Sequence, residues 1–269
     1  MKISFIGGGN MARALIQGLR QNGFAMQDIQ VVDPDGDKRA ALQRDFGIAT
    51  SENLPNAANA DIVLLAVKPQ QMRDVCIFLG SLLQRQLVIS IAAGLRTQDI
   101  SRWLGGYENI VRVMPNTPAQ IQAGISALFA MPAVTSAQHI QAENIMKAVG
   151  EIIWLEDEQQ MDAVTAISGS GPAYVFYFME AMLQAAAEMG LSHDQARALC
   201  MHTMQGSSRL AAASPEDPAE LRSQVTSKGG TTEQAIMAME GAGVKSAIVK
   251  AARAAAEKSR ELGDLLGKN

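Results

Sequence analysis

The opening stretch constrains this chain more than any other. Lys2-Ile3-Ser4-Phe5-Ile6 reads as a buried strand, Gly7 to Ala12 as a tight turn, and Arg13 to Leu19 as an amphipathic helix. The turn fits G-x-G-x-x-G/A, with Gly7, Gly9 and Ala12 at the three small positions. Each position has its own physical reason: Gly7 lets the chain turn sharply out of the strand, Gly9 leaves room for a pyrophosphate against the backbone, and Ala12 lets the helix lie close on the sheet. Unpaired amides at the helix start then face the phosphates, with the positive end of the helix dipole behind them. Gly7, Gly8, Gly9, Asn10, Met11 and Ala12 are therefore candidate cofactor-binding residues. A glycine turn of purely structural purpose is the alternative, and the strand–helix alternation downstream favours the nucleotide reading.

Composition narrows the classes. The 269 residues are 48% apolar, enough for one large or two smaller buried cores. A net charge of -4 provides no electrostatic footprint for nucleic acid. Cys76 and Cys200 each sit in an apolar helical pattern, which points to core positions rather than a disulfide framework or thiolate metal site. His139, His193 and His202 lack ligand spacing, so no metal is expected. No apolar run reaches the roughly 20 residues needed to cross a bilayer, and the N-terminus enters a glycine turn where a signal peptide would need its apolar core. The expectation is a soluble, cytoplasmic protein without a membrane partner.

The first half alternates strands and helices. Ile29 to Val32 ends at the turn cluster Asp33-Pro34-Asp35-Gly36, and Asp37 is placed to cap a helix that stops at Gly47. Asp33 lies about 20 to 26 residues past the fingerprint, where a carboxylate accepts hydrogen bonds from the adenosine ribose and repels a 2′-phosphate. It also reads as a turn-forming Asp before Pro, and Lys38 and Arg39 one turn later would suit a 2′-phosphate instead. Asp61 to Val67 is a continuous β-rich run of the kind covered on both faces, followed by Lys68 and Pro69 at a strand end where open sheets bind ligands. Leu87 to Ile91 repeats the pattern before Ala92-Ala93-Gly94, and Thr97 is placed to cap the next helix. Strands are expected at residues 109–113, 124–129 and 151–155, with a helix over 136–149, which makes an open sheet of about eight strands. Met114-Pro115-Asn116-Thr117-Pro118 reads as a rigid loop presenting Asn116 or as a plain turn.

Beyond Glu156 the β-rich runs vanish and Ala, Met and Leu recur at helical spacing. The boundary falls between a dinucleotide-binding domain over 1–157 and an all-helical domain over 158–269. Helices are expected at 159–167, 172–189, 192–213, 219–225, 231–240 and 244–266. Capping boxes appear at Ser192/Gln195 and Thr231/Gln234. Apolar faces that one copy would struggle to bury point to a homodimer through this half. Two polar, glycine-rich stretches interrupt it: Ser168-Gly169-Ser170-Gly171-Pro172, read as an anion-binding helix start, and Thr226 to Thr232. Ordinary capping is the alternative for either alone, whereas the two together suit a small carboxylate. Neither stretch carries His, Asp or Cys, so no general base is visible.

These motifs carry a resemblance. Phe5 to Met11, Ala66-Val67-Lys68-Pro69, Ser90 to Gly94, Met114 to Pro118, Ser168 to Tyr174 and Gly229-Gly230-Thr231-Thr232 occur in an order that is similar to the pyrroline-5-carboxylate reductase family over the whole chain. The resemblance implies a Rossmann-type α/β domain with a C-terminal all-helical dimerisation domain. It implies reduction of 1-pyrroline-5-carboxylate to L-proline with NADPH or NADH, the last step of proline biosynthesis. It implies a homodimer with interleaved helices and a decamer of five dimers. Carried over residue by residue, Asn53, Ala66 to Pro69 and Ala92 to Gly94 would touch the cofactor. Ser168, Gly169, Ser170, Gly171 and Thr231 would hold the substrate carboxylate, with Asn116 nearby, and Thr232 would face the ring nitrogen. Three positions depart from the family pattern: Ala12 where Gly is frequent, Lys228 where Pro is frequent, and Asp33 where a neutral residue is usual.

The resemblance accounts for the missing base. A cyclic imine protonated on nitrogen supplies much of its own activation, so the protein chiefly orients two partners. A β-hydroxyacid dehydrogenase shares the two-domain plan but needs a Lys followed by Asn on the helix over 172–189, which has neither. A dinucleotide-binding sensor without turnover is the reading from another class, and oxidation of NAD(P)H by pyrroline-5-carboxylate separates the two.

Overall fold

A computed structural model describes residues 1–268. Eight strands form one sheet in the order β3-β2-β1-β4-β5-β6-β7-β8. They are β1 (Ile3–Ile6), β2 (Ile29–Val32), β3 (Ala49–Ser51), β4 (Ile62–Leu65), β5 (Leu87–Ser90), β6 (Ile110–Met114), β7 (Gly124–Ala130) and β8 (Gly150–Trp154). All neighbours pair parallel except β6 with β7. The three-residue edge strand β3 carries too little apolar pattern to be read from sequence.

Successive strand residues point to opposite faces, and in the central strands β1, β4 and β5 both faces are covered, which is why these read as unbroken apolar runs. Ile3, Phe5, Ile62, Leu64, Leu87 and Ile89 meet one set of helices: α1 (Asn10–Gln21), α2 (Gly36–Phe46) and α5 (Ser136–Lys147). Ile6, Val63, Leu65 and Val88 meet α3 (Pro69–Gly80) and α4 (Thr97–Trp103) on the other. One close approach left no motif in the sequence. A Cβ on Gly18 would lie 2.2 Å from the Ala148 carbonyl oxygen, so α1 packs directly on the chain entering β8.

The helical half follows the expected spans closely over α7 (Gly171–Glu188), α8 (His193–Ala213), α9 (Pro218–Gln224), α10 (Thr231–Gly241) and α11 (Val244–Gly267), whereas the helix expected over 159–167 is a 3₁₀ turn (Glu158–Gln160), a short α6 (Met161–Val164) and a π turn (Thr165–Gly169). By packing, the chain divides differently from a cut at 157/158. One compact unit takes residues up to Ser170 and again from Ala254, and the other is Gly171–Arg253.

Local capping corrects three expectations. Asp35, not Asp37, caps α2: its carboxylate accepts the Asp37 and Lys38 amides. Thr97 is not a cap but the first residue of α4, and Glu158 accepts both its amide (2.8 Å) and its hydroxyl (2.7 Å). Thr231 makes no capping bond, because α10 starts from Gly230 and Glu233 turns back to accept the Gly229 amide at 2.7 Å. The Ser192/Gln195 box is present.

Candidate functional site

The carboxyl edge of the sheet assembles the first group of residues. The order 3-2-1-4 reverses direction at β1, and the crevice between β1 and β4 is where such sheets bind ligands. Gly7 leaves β1 with φ +98°, and a Cβ there would lie 2.7 Å from the Ala66 carbonyl at the end of β4. Only glycine fits. Gly9 caps α1 without any side-chain bond, and a Cβ on it would meet nothing within 4 Å. The fold's own packing therefore does not demand glycine at position 9; the space above it is what a phosphate needs against bare amides. Ala12 is fully buried beneath the helix, Met11 packs on the core and Asn10 is exposed at the helix start. The residues fit a dinucleotide.

Asp33 directly follows β2 and is 5% exposed. One carboxylate oxygen accepts the Gly8 amide at 2.8 Å and the other accepts the Asp35 amide at 2.9 Å, so it braces the glycine turn and its own turn together. Lys38 lies 3.9 Å from Asp33 and 3.5 Å from Asp35. Arg39 donates to the Asp33 and Pro34 carbonyls (2.7 and 2.9 Å) and pairs with Glu52 at 3.3 Å. The Lys38 amide holds the Asp35 carboxyl below the usual carboxylate range.

Further along the edge, Ala66 and Val67 are half-buried, Lys68 is exposed ahead of α3, and Pro69 is its first residue. Ala92 is buried, Ala93 exposed, and Gly94 turns with φ +81° against α11 near Gly263. Asn53 is exposed and precedes a 3₁₀ turn over Leu54–Asn59.

Asn116 differs from the presented side chain that its proline-flanked loop suggests. It is 9% exposed, and its Oδ1 accepts the Ile125 amide at 3.0 Å, tying the loop to β7. An oxygen in a buried turn finds a backbone donor before it finds a ligand.

At Ser168–Gly171 one helical run ends and another begins, as the sequence suggests, but without a loop between them. Thr165–Gly169 forms a π turn running into α7, with Ser170 still helical and its amide donating to the Thr165 carbonyl at 2.8 Å. Such π turns inside helices recur at functional sites. Ser168 Oγ is buried there with no hydrogen-bond partner, an orphan of the kind that a bound ligand completes. Gly169 gives Met114 its space, since a Cβ would meet the methionine's terminal carbon at 2.5 Å.

In the second unit, Thr231 is exposed and Thr232 half-buried at the start of α10, and neither hydroxyl has a partner among the described residues. The Tyr174 hydroxyl, on the first turn of α7, is buried and unpartnered as well. It closes the Ser168 to Tyr174 motif, where the sequence assigned it no role of its own. Glu158 was equally silent there: it pairs with Arg112 (2.9 Å; 4% exposed) while holding Thr97. Among the described residues no group of three His, Cys, Asp or Glu side chains could hold a metal ion, and no helix is long and apolar enough to cross a membrane.

Comparison with known proteins adds to this geometry. The family profile for pyrroline-5-carboxylate reductase dimerisation matches residues 158–262, and that for NADP oxidoreductase, coenzyme F420-dependent, matches residues 2–94. The chain is 45% identical over 268 residues to the pyrroline-5-carboxylate reductase of Pseudomonas aeruginosa, covering 99% of this chain and 98% of that protein. Its structure is similar to that of a pyrroline-5-carboxylate reductase from Coxiella burnetii (TM-score 0.91, 43% identity, 97% and 98% of the two chains). It is also similar to the pyrroline carboxylate reductase of Plasmodium falciparum solved with NADP bound (TM-score 0.89, 30% identity, 98% of each).

Proposed function

The chain belongs to the pyrroline-5-carboxylate reductase family, and from that premise we propose that it reduces the C=N bond of 1-pyrroline-5-carboxylate to L-proline with NADPH or NADH, the last step of proline biosynthesis. The observation that carries the reading is similarity over the full length of relatives named for this activity. The glycine turn with open space at Gly9 accords with it.

The nicotinamide cofactor supplies the hydride when bound. Gly7 to Ala12 and Asp33 hold it at the sheet edge, with Asn53, Ala66, Val67, Lys68, Pro69, Ala92, Ala93 and Gly94 alongside. Imine reduction asks little acid–base work of the protein, because an iminium carbon is already electron-poor and its nitrogen can take a proton from solution. The remaining task is orientation, which accounts for a large share of rate in two-partner reactions. Ser168 to Gly171 and Thr231 bind the substrate carboxylate in this reading, and the buried, unpartnered Ser168 hydroxyl is the strongest support among them. Asn116 contributes through its side-chain NH₂, its oxygen being held by Ile125. Thr232 faces the ring nitrogen. Capping does not separate the two threonines, so Thr232 rests on the family motif and on its greater burial.

The helical portion over 158–269 serves as the dimerisation and substrate domain of a cytoplasmic homodimer, and five dimers form a decamer. The deciding experiment adds pyrroline-5-carboxylate to purified protein with each reduced dinucleotide. Oxidation of the dinucleotide with stoichiometric proline is expected. Dinucleotide binding without proline would leave a sensor in place of an enzyme.

A further inference from the structure

The turn from β2 into α2 holds more negative charge than bracing the glycine loop requires. Asp33, Asp35, Asp37 and Glu52 stand on it or against it, four carboxylates to the two cations Lys38 and Arg39. Both cations are engaged within the turn. Arg39, the residue type best suited to a phosphate, directs one guanidinium nitrogen at two backbone carbonyls and another at Glu52, while Lys38 sits between Asp33 and Asp35. The start of α2, where helix amides would attract an anion, is closed by the Asp35 carboxylate accepting from Asp37 and Lys38. A 2′-phosphate would find neither a free fork of donors nor an open helix end here.

We propose that this turn selects NADH over NADPH: Asp33 accepts the ribose hydroxyls of the adenosine half, and the surrounding carboxylates exclude a 2′-phosphate. Asp33 keeps the capacity for this. Each of its oxygens has accepted one backbone amide and retains a second lone pair, and the side chain is held rigidly by those two bonds. A carboxylate at this strand end, about 20 residues past the glycine turn, reads the ribose diol in sheets of this order. The inference rests on the reductase reading only in requiring a dinucleotide at the Gly7–Ala12 turn.

The test measures equilibrium dissociation constants of NADH and NADPH for the full-length protein by titration calorimetry, beside proline formation with each. Wild type should bind NADH at least about tenfold more tightly, since like-charge juxtaposition is strongly unfavourable. Asp33→Asn keeps the size and an acceptor for the Gly8 amide, and it should shrink the ratio chiefly by strengthening NADPH. Glu52→Gln is a surface change that leaves the core intact and should shrink it in the same direction by releasing Arg39; it carries the test if Asp33→Asn fails to fold. NADPH bound as tightly as NADH or more tightly in wild type overturns the selection while leaving the reductase intact. So does an unchanged ratio in the folded variants. Binding of neither dinucleotide overturns the selection and the reductase together.

Discussion

The sheet unit and the helical unit are both built from apolar residues, yet they finish their cores in opposite ways. In the sheet unit Ile3, Phe5, Leu15, Ile62, Leu64 and Met72 are completely buried within one chain. In the helical unit none of the 18 residues of α7 is buried, and Phe176 and Tyr177 are 58% and 77% exposed. Exposed apolar surface on that scale marks a contact with another protein surface. The matched dimerisation profile covers this same region. One unit is thus self-sufficient, and the other leaves an apolar helix face uncovered.

The largest effect expected within the self-sufficient unit follows from its buried ion pair. Glu158→Ala strands Arg112, which is 4% exposed, and also removes the acceptor that holds the start of α4. A loss of about 3–5 kcal/mol is expected, visible in urea unfolding and independent of protein concentration. Stability within 0.5 kcal/mol or so of wild type would mean that Glu158 does not hold the fold.

Next comes the associating unit. Tyr177→Asp or Phe176→Asp should weaken self-association by about 2 kcal/mol or more if these side chains are central to the contact. Sedimentation at micromolar concentration would then report monomer, and the wild-type melting temperature should rise with concentration while the variant's does not. An unchanged dimer would place the interface elsewhere.

Thr232→Ala probes whether the start of α10 carries chemistry. A hydrogen bond made mainly in the transition state should lower kcat and kcat/KM together, by about tenfold for each 1.4 kcal/mol lost. Thr232→Ser should retain most activity. Wild-type turnover in the alanine variant, at equal cofactor affinity, would leave proton delivery to water.

Asp35→Ala removes the side-chain cap on α2 and should lower the melting temperature modestly without affecting association. Melting curves at two protein concentrations measure both parts of that statement. The smallest effect concerns Cys76. Burial pushes its thiol up to about 12, so a thiol reagent at neutral pH should leave it unlabelled in the native protein and label it after denaturation. Rapid native labelling, located by peptide mapping, would show that the α3 face opens.

What could be read along the chain was whatever depends on near neighbours. The strand–glycine–helix start, the β-rich runs of doubly covered strands, the Ser192/Gln195 box and nearly every helix span are short-range or periodic signals, and the helices formed within a residue or two of them. Caps were less secure, because Asp35 and Asp37, or Glu233 and Gln234, are equivalent in pattern and differ only in which amide the folded turn brings within reach. The ordered motifs were likewise sufficient to identify the family, since they span the chain.

Tertiary structure alone decided where polar groups found partners. Asn116 turned inward because Ile125 of β7 offers an amide to it, and Glu158 became the hub of Arg112 and Thr97 across 46 and 61 residues. Gly18 is required by a carbonyl 130 positions away, which no local pattern encodes. Arg39, which the sequence left open as a phosphate partner, is directed by the fold onto the Asp33 and Pro34 carbonyls and Glu52. Burial and hydrogen bonding are satisfied by whatever the fold brings close, and closeness in space between residues distant in sequence exists only once the chain has folded.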